Sequence, residues 1–480
     1  MKISIVGTND ISGGAARAMY RLHQGLLSAG SDSKIICRYK SSSDARVKQV
    51  PMYGTRQSFK NAYSNASYEL IQAYIQKNRT SLSNTLFSYP YPGYDLSQNF
   101  DIQSSDIINL HWVAYFLSPV NLRSLLDLKK TLVWTLHDEW AYTGGCHYTA
   151  GCRHFMDNCS ECPQIRTFHS LIPHLSLLDK LDLLSDRISI IAPSRWIYKQ
   201  AKSSSLFKNS LIECIPNSID TELYNASSRE RKRKEFGFTE DTFVVLFGAD
   251  SLVEKRKGFK ELLEAFQYCD RDSIWNDLMN QGKIHVLLFG HSAEELKTLK
   301  IPHTNLGSIS DETILSQIYS SADVFILPSL EDNLPNTMLE AFSCETPVIA
   351  FPVGGIVDVV DERTGYVADD LHPKSLALKI LHSLKNEKER REKGRQGRIR
   401  MLEEYSPERQ SERYLSFFKL QKDLNKNQMG FSASTYQLGP NAKKGWGAIV
   451  KEVGSPFFSL RVVVLIGKKV LFKILRVLFS

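Results

Sequence analysis

Apolar residues come in short runs along this chain. Each run ends in a turn and is followed by apolar positions at helical spacing. Residues 2–7 form the first run. They lead into DISGGAA (residues 10–16), a helix predicted over residues 17–29 and a second strand over 33–38. Residues 40–100 are more polar and less regular. They hold one helical stretch near 59–76 and a Pro-stiffened loop, YPYPGY (89–94), whose aromatics suit either a turn or the wall of a cleft. Strands are predicted again over 107–113, 131–136, 188–192 and 211–215. A second series follows over 243–247, 285–289, 305–309, 324–327 and 348–351. These runs lack strict alternation, so the strands are buried on both faces, as in parallel sheets covered by helices. The pattern predicts an α/β chain of two doubly wound domains, residues 1–225 and 226–405. The charged stretch RERKRKE (229–235) reads as a solvated linker or helix face. Helices are predicted over 390–403 and from 407 to about 422, then a loose linker over 426–456 and an apolar, basic end over 457–480.

Length agrees with this division, since 480 residues exceed one ordinary core. Charge changes the picture more. Of the formal +8, the last fifty residues carry +7, from Lys443, Lys444, Lys451, Arg461, Lys468, Lys469, Lys473 and Arg476 against Glu452. The body is nearly neutral, and no nucleic-acid partner is expected of it. In a helix over 457–480, five of these cations would fall within roughly 140° of one another. Such a basic amphipathic helix suits an anionic membrane interface; the other reading is a helix docked on the protein's own body. The N-terminus runs straight into a strand, so it is not read as a signal peptide. No run of about 18 uncharged apolar residues predicts a membrane span. The expected location is cytoplasmic, peripheral on the inner face of the cell membrane.

Ligands of parallel sheets bind at the carboxyl ends of strands. That places interest on His111, His137–Asp138, Ser194–Arg195 and Asn217. It places most on residues 328–355, PSLEDNLPNTMLEAFSCETPVIAFPVGG, where Glu331, Asp332 and Glu340 flank a predicted helix start. Carboxylates accept hydrogen bonds from hydroxyls, and free helix-end N–H groups receive phosphate, so the stretch suits a polyhydroxylated, anionic ligand. Helix capping is the plainer role for the first two acids. Gly13 and Gly14 suit either close approach to a ligand or a tight turn. Cys146, Cys152, Cys159 and Cys162 follow C-x5-C-x6-C-x2-C, which fits a structural zinc with His147 and His154 as spare ligands, or a disulfide, or free thiols. Cys37, Cys214, Cys269 and Cys344 read as core residues.

The signature PSLEDNLPNTMLEAF…ETPVIAFPVGGIVDVV resembles the donor site of family 4 glycosyltransferases of GT-B fold. GGAARA, WTLHD (134–138), APS (192–194), IPNSID (215–220), KG (257–258) and TGYV (364–367) stand where that family has them, so the likeness covers about residues 1–420. HDEWAYTGGCHY and the cysteines after it are similar to a bacterial polysaccharide-biosynthesis subset. The resemblance implies two Rossmann-like domains facing a cleft, acceptor on the first and donor on the second, with 406–425 crossing back to the first. It implies retaining transfer from a nucleotide-sugar co-substrate to a hydroxyl of a glycan or lipid-linked acceptor, in cell-envelope or exopolysaccharide synthesis, with no catalytic metal. The family's first carboxylate lies four places after a Pro and eight before a Glu, which makes it Asp332, with Glu331 as a possible substitute; it would meet the donor sugar. Glu340 would meet the ribose and Lys257 the diphosphate. The family's Arg falls at Ser251 or Leu252, so Arg256, Lys255 or backbone N–H groups near Leu334 would compensate. Gly13, Gly14, Asn333 and Asn336 complete the expected donor contacts. His137 would orient the sugar or stabilise charge, and the leaving phosphate would take the acceptor's proton. The alternatives are a nucleotide-sugar 2-epimerase of the same fold and a silent sugar-nucleotide-binding scaffold.

Overall fold

The computed structural model describes residues 1–50, 69, 71–91, 93–166, 171–184, 188–291 and 294–426. The expected tail over 457–480 and the linker beyond residue 426 lie outside the described residues, as does most of the predicted helix over 59–76.

The first sheet has seven parallel strands in the order β3-β2-β1-β4-β5-β6-β7. These are β1 (Lys2–Asn9), β2 (Asp32–Tyr39), β3 (Val47–Gln49), β4 (Ile107–Leu110), β5 (Thr131–Thr135), β6 (Ser189–Ala192) and β7 (Ile212–Cys214). Helix α1 (Gly14–Ser28) follows β1, and α2 (Arg195–Ser203) follows β6 with Ser194 capping it through its side chain. The second sheet runs β10-β9-β8-β11-β12-β13, with β8 (Phe243–Ser251), β9 (Ile284–His291), β10 (His303–Asn305), β11 (Val324–Leu327), β12 (Val348–Ala350) and β13 (Gly365–Val367). Interior strands are buried on both faces; β4 and β11 are buried throughout. In each sheet the winding reverses beside the first strand, between β1 and β4 and between β8 and β11. A crevice opens at such a switch point, and the two switch points face each other.

Several elements differ from expectation. β3 and β10 are three-residue edge strands in polar sequence, with only Val47 of the six residues buried, so no apolar run marks them. The strand expected over 305–309 is instead β10, and β13 is a sixth strand. β4 ends at Leu110 rather than residue 113, and His111 and Trp112 leave the ladder to line the crevice. The domain change comes earlier than residue 225: Ile215 packs in the first core, whereas Ile219 and Tyr224 pack in the second. RERKRKE is a helix (Arg229–Glu235), but not a solvated one on every side. Arg229 and Arg233 reach the buried Asp323 at 2.6 and 3.0 Å, and Asp323 also accepts from the Val244 N–H. That hub ties β8 to β11 at the ends away from the cleft. Helix α3 (Asn336–Ser343) follows β11. Helix α4 (Pro407–Lys426) returns to the first domain, where Tyr414, Phe417 and Phe418 are buried beside Ile3, Ile5, Met19 and Leu22. Among the described residues, no helix is long and apolar enough to cross a membrane.

Candidate active site

A cavity of about 490 Å³ lies between the two switch points. Its second-domain wall begins where β11 ends at Leu327 and the chain turns through Pro328. Two close approaches shape this turn. Gly258 has φ 71°, and a Cβ there would stand 1.8 Å from the Pro328 oxygen. Gly354 has φ 55°, and a Cβ would stand 1.6 Å from the Asp332 oxygen. Only glycine suits both positions. The first approach presses the Lys257 turn against the 328–332 loop, and the second fixes Asp332 from behind.

Asp332 is the hub of this wall. Its Oδ2 accepts from Lys257 Nζ at 2.7 Å and meets Arg256 Nη1 at 3.0 Å. Burial alone would raise its pKa, but the two cations outweigh that and hold it down to about 2. Arg256 is itself buried, bonded to Glu254 at 3.1 Å and stacked on the Tyr148 ring at 4.3 Å. It therefore stands at the cavity in place of the cation missing at Ser251 and Leu252. Lys255 does not line the cavity. Glu331 does not line it either, contrary to its expected part in donor binding. Its carboxylate turns away and accepts the Ala150 N–H at 3.2 Å, with Asn84 at 3.5 Å. The bend at Glu331 turns the two neighbouring side chains apart, so Asp332 alone of the two faces the cleft.

Leu334 and Asn336 carry the wall to the start of α3, and Glu340, 2% exposed, faces inward from that helix. Glu340 is shared: Arg21 from α1 bonds it at 2.9 Å and the Tyr319 hydroxyl donates to it at 3.1 Å, while Arg21 also meets Glu312 at 2.6 Å. Asn333 and Asn336 line the cavity but spend their amides across it. Asn333 Nδ2 donates to the backbone oxygens of Leu136 (3.0 Å) and His137 (3.2 Å), its Oδ1 accepts from Ser194, and Asn336 Nδ2 donates to the Gly14 oxygen at 2.8 Å. In this structure they hold the domains together.

The first-domain wall includes Gly13, Gly14, Arg17, His111, Trp112, His137, Asp138 and His147. Gly13 has φ 90° and caps α1, so its left-handed turn brings the backbone to the cavity rim. His111 Nδ1 and His137 Nε2 are 2.8 Å apart, and His111 Nε2 lies 2.9 Å from Asn109 Oδ1. Burial pushes both imidazoles down, His137 to about 4 and His111 well below its ordinary value, with His137 beside it adding to the effect. Asp138 accepts from Trp112 Nε1 and His147 Nδ1, each at 2.6 Å, and from the Trp140 N–H at 3.0 Å. His147 Nε2 in turn lies 2.7 Å from the fully buried Ser88 hydroxyl. The Ser–His–Asp order is that of a hydrolytic triad, yet its hydroxyl is sealed in the interior; it works as a brace for the wall.

Cys146, Cys152, Cys159 and Cys162 line one small cavity next to His154, and all four are free thiols. Backbone N–H groups point at three of the sulfurs: Gly144 to Cys159, Gln164 and Ile165 to Cys162, and His154 to Cys152 at 3.5 Å. The expected zinc is not matched by this arrangement. Among the described residues no three Cys, His, Asp or Glu side chains are grouped so that they could hold a metal ion. The spare ligands are engaged as well, His147 as above and His154 Nδ1 at 2.5 Å from the Ser160 oxygen. The loop is closed instead by packing and by the buried Lys180, which donates to the Trp140 and Thr143 oxygens. It carries Tyr148 onto Arg256 and Ala150 onto Glu331. Sequence reasoning missed Arg21 and Tyr148 as site neighbours. Nothing in one helix face or one loop foretells a partner about 100 or 300 positions away.

Residues 228–400 match the family model of glycosyl transferases group 1. The chain is similar to WcaC of Escherichia coli (strain K12), named for a glycosyl transferase of colanic acid biosynthesis, with 25% identity over 82% of this chain and 95% of that protein. It is also similar to the capsular polysaccharide biosynthesis glycosyltransferase CapM of Staphylococcus aureus, at 25% identity over 48% of this chain and 61% of CapM. Among solved structures, sucrose-phosphate synthase from Thermosynechococcus elongatus superimposes with a TM-score of 0.59 at 17% identity, covering 89% of this chain and 99% of that one. Anabaena Alr3699/HepE in complex with UDP-glucose does so with a TM-score of 0.57 at 14% identity, over 88% and 100%.

Proposed function

We propose that this chain, a GT-B glycosyltransferase whose residues 228–400 belong to the group 1 glycosyl transferases, moves a sugar from a nucleoside-diphosphate sugar to a hydroxyl of a glycan or lipid-linked acceptor in envelope or exopolysaccharide synthesis. The observation that carries this reading is the meeting of Lys257, Arg256 and Asp332 beside the start of α3, with Glu340 further along the same helix and the Gly13–Gly14 loop opposite. Cations and helix-end N–H groups suit a diphosphate, and Glu340 suits a ribose diol. Asp332 suits sugar hydroxyls. The solved complex of HepE with UDP-glucose and the naming of WcaC and CapM for polysaccharide synthesis support the substrate classes.

In this reading the donor enters between Lys257 and Asp332. Lys257 leaves the carboxylate for the diphosphate, and Asp332 keeps Arg256 while accepting from the sugar. An acceptor hydroxyl attacks the anomeric carbon, the carbon–oxygen bond to the diphosphate breaks, and Lys257 with the α3 N–H groups stabilises the leaving charge. The leaving phosphate oxygen takes the acceptor's proton on the same face, so the anomeric configuration is retained. Asn333 and Asn336, bonded across the cleft, keep water out once the donor is seated. The basic and apolar sequence 457–480 would hold the enzyme at anionic lipid, where a lipid-linked acceptor resides.

A panel of nucleotide sugars scored by thermal shift, followed by single-turnover transfer to lipid-linked acceptors, tests this. One donor should raise the melting temperature and be consumed with retention of configuration. Donor binding without transfer or hydrolysis in the presence of acceptors would favour the scaffold, and interconversion of the free donor would favour the epimerase.

A further inference from the structure

His137 reaches the cavity at the end of a buried chain of hydrogen bonds, and the direction of each bond in that chain is decided by its innermost member. Asn109 is fully buried on β4. Its Nδ2 lies 3.2 Å from the Val133 oxygen and 3.1 Å from Thr135 Oγ1. A backbone carbonyl cannot donate, so the amide NH2 faces it and Oδ1 faces His111. Oδ1 can only accept, so the proton 2.9 Å away sits on His111 Nε2. His111 is 2% exposed and packed against a second imidazole at 5.0 Å between ring centroids, a setting in which it stays neutral. A neutral imidazole protonated at Nε2 has a bare Nδ1. His137 Nε2, 2.8 Å away, must then be the donor. His137 is half-buried at the cavity wall and its pKa is lowered to about 4, so at pH 7 its own Nδ1 is bare, and Nδ1 has no hydrogen-bond partner among the described residues. Thr135 Oγ1 is also 3.2 Å from the Tyr414 hydroxyl on α4, so the chain runs from the crossing helix to the cleft.

We propose that Asn109 and His111 are positioning residues that lock His137 as the Nε2–H tautomer, so that its Nδ1 accepts a hydrogen bond from a hydroxyl of the transferred sugar. The sugar part rests on the glycosyltransferase reading; the tautomers do not. His137 cannot then donate to an oxygen or carry the charge of an imidazolium. Of the two duties its position allows, orienting a hydroxyl is the one it performs. A donor sugar with a deoxy carbon or an ether oxygen at that place would leave the bare nitrogen without a partner.

The test begins with the unmodified, ligand-free protein. Selective 15N-histidine labelling of its 12 histidines and a long-range proton–nitrogen spectrum at pH 7 report the tautomer of each ring. His111→Gln and His137→Gln assign the two signals. Both rings should be neutral and protonated at Nε2. A proton on Nδ1 of either ring, or a charged ring, overturns the proposal. Asn109→Asp is the second arm. A carboxylate there favours a cationic His111 whose Nδ1–H donates, which reverses the bond and moves the His137 proton to Nδ1. The spectrum should show that move, and kcat/KM with a hydroxylated donor should fall about tenfold, the worth of one hydrogen bond. His137→Asn should keep more transfer than His137→Ala, because its amide oxygen still accepts. In His137→Ala the native preference for one donor hydroxyl, measured with deoxy donors, should vanish. If it persists, the sugar contact is wrong. If no nucleotide sugar is turned over at all, the glycosyltransferase reading fails while the tautomers stand as measured.

Discussion

The two walls of the cleft are built from different materials. The second-domain wall is charged: Lys257 and Arg256 lie within 3.0 Å of Asp332, and all three are part of one ion cluster. The first-domain wall keeps its charge to the rim, where Arg17 of α1 lines the cavity; deeper in, His111 and His137 have lowered pKa values, and the one carboxylate, Asp138, has its oxygens taken up by Trp112, His147 and Trp140. On the proposed reading, the difference suits the two ends of a nucleotide sugar. A diphosphate needs cations that can change partners, because its charge grows as the bond breaks. A sugar needs fixed acceptors and donors of known direction.

Breaking the charged wall should have the largest effect. Lys257→Ala should lower kcat/KM for transfer about 10²–10³-fold, the range for losing one stabiliser of developing charge. Its melting temperature should scarcely change, because Asp332 keeps Arg256. A fall in stability without a fall in transfer would make Lys257 structural. Asp332→Ala should act on both counts. It leaves two cations without their shared carboxylate, and a urea midpoint should report a loss of about 3 kcal/mol, since Arg256 retains Glu254. Gly354→Ala comes next. The left-handed backbone and the 1.6 Å approach to the Asp332 oxygen predict a cost of about 2 kcal/mol and a displaced Asp332, visible as weaker donor binding at unchanged acceptor affinity.

The acid dependence separates the two domains further. Asp332, held at about 2 against 3.8, refuses a proton that the unfolded chain accepts, so its stabilisation is lost as pH falls from about 4 to 2. Glu139 is the reverse case. Burial, with Glu331 nearby, raises it from 4.5 to about 8, so the folded state keeps a proton that the unfolded chain releases. Its contribution is complete below about pH 4.5 and is lost as pH rises toward 8. Glu139→Gln should flatten the alkaline side of a stability profile between pH 5 and 8.5 and leave the acid side alone. The smallest effect is expected from Cys152→Ser, at the most open of the four clustered thiols: a change within about 0.5 kcal/mol in a thermal melt. A loss of several kcal/mol together with release of a bound metal would show that the loop is a metal site.

Some of this was legible beforehand. Buried strands without alternation announced two parallel sheets, and counting from Pro328 to Glu340 singled out Asp332 over Glu331, the acid that does line the cavity. RERKRKE reads as solvated along the chain because Asp323, its buried partner, lies some 90 positions later. The cysteine spacing suggested zinc because spacing constrains only which ligands could converge, not how closely a loop brings them. Their place in a motif makes Asn333 and Asn336 donor contacts on the family resemblance, and both line the cavity. In three dimensions their amides face the other domain.

By itself, the amino-acid sequence determined the architecture and the kind of chemistry. Hydrophobic period is a local property, and each strand, turn and helix start obeys contacts a few residues away. It also determined the charge that the tail carries. The tertiary structure alone decided which groups meet: Arg21 with Glu340, Tyr148 with Arg256, Asn333 with the backbone of Leu136 and His137. It alone decided the direction of the Asn109–His111–His137 chain, since that follows from a carbonyl on a neighbouring strand. Side chains at a cleft are placed by two sheets folding against each other, and no periodicity along one chain encodes the distance between them.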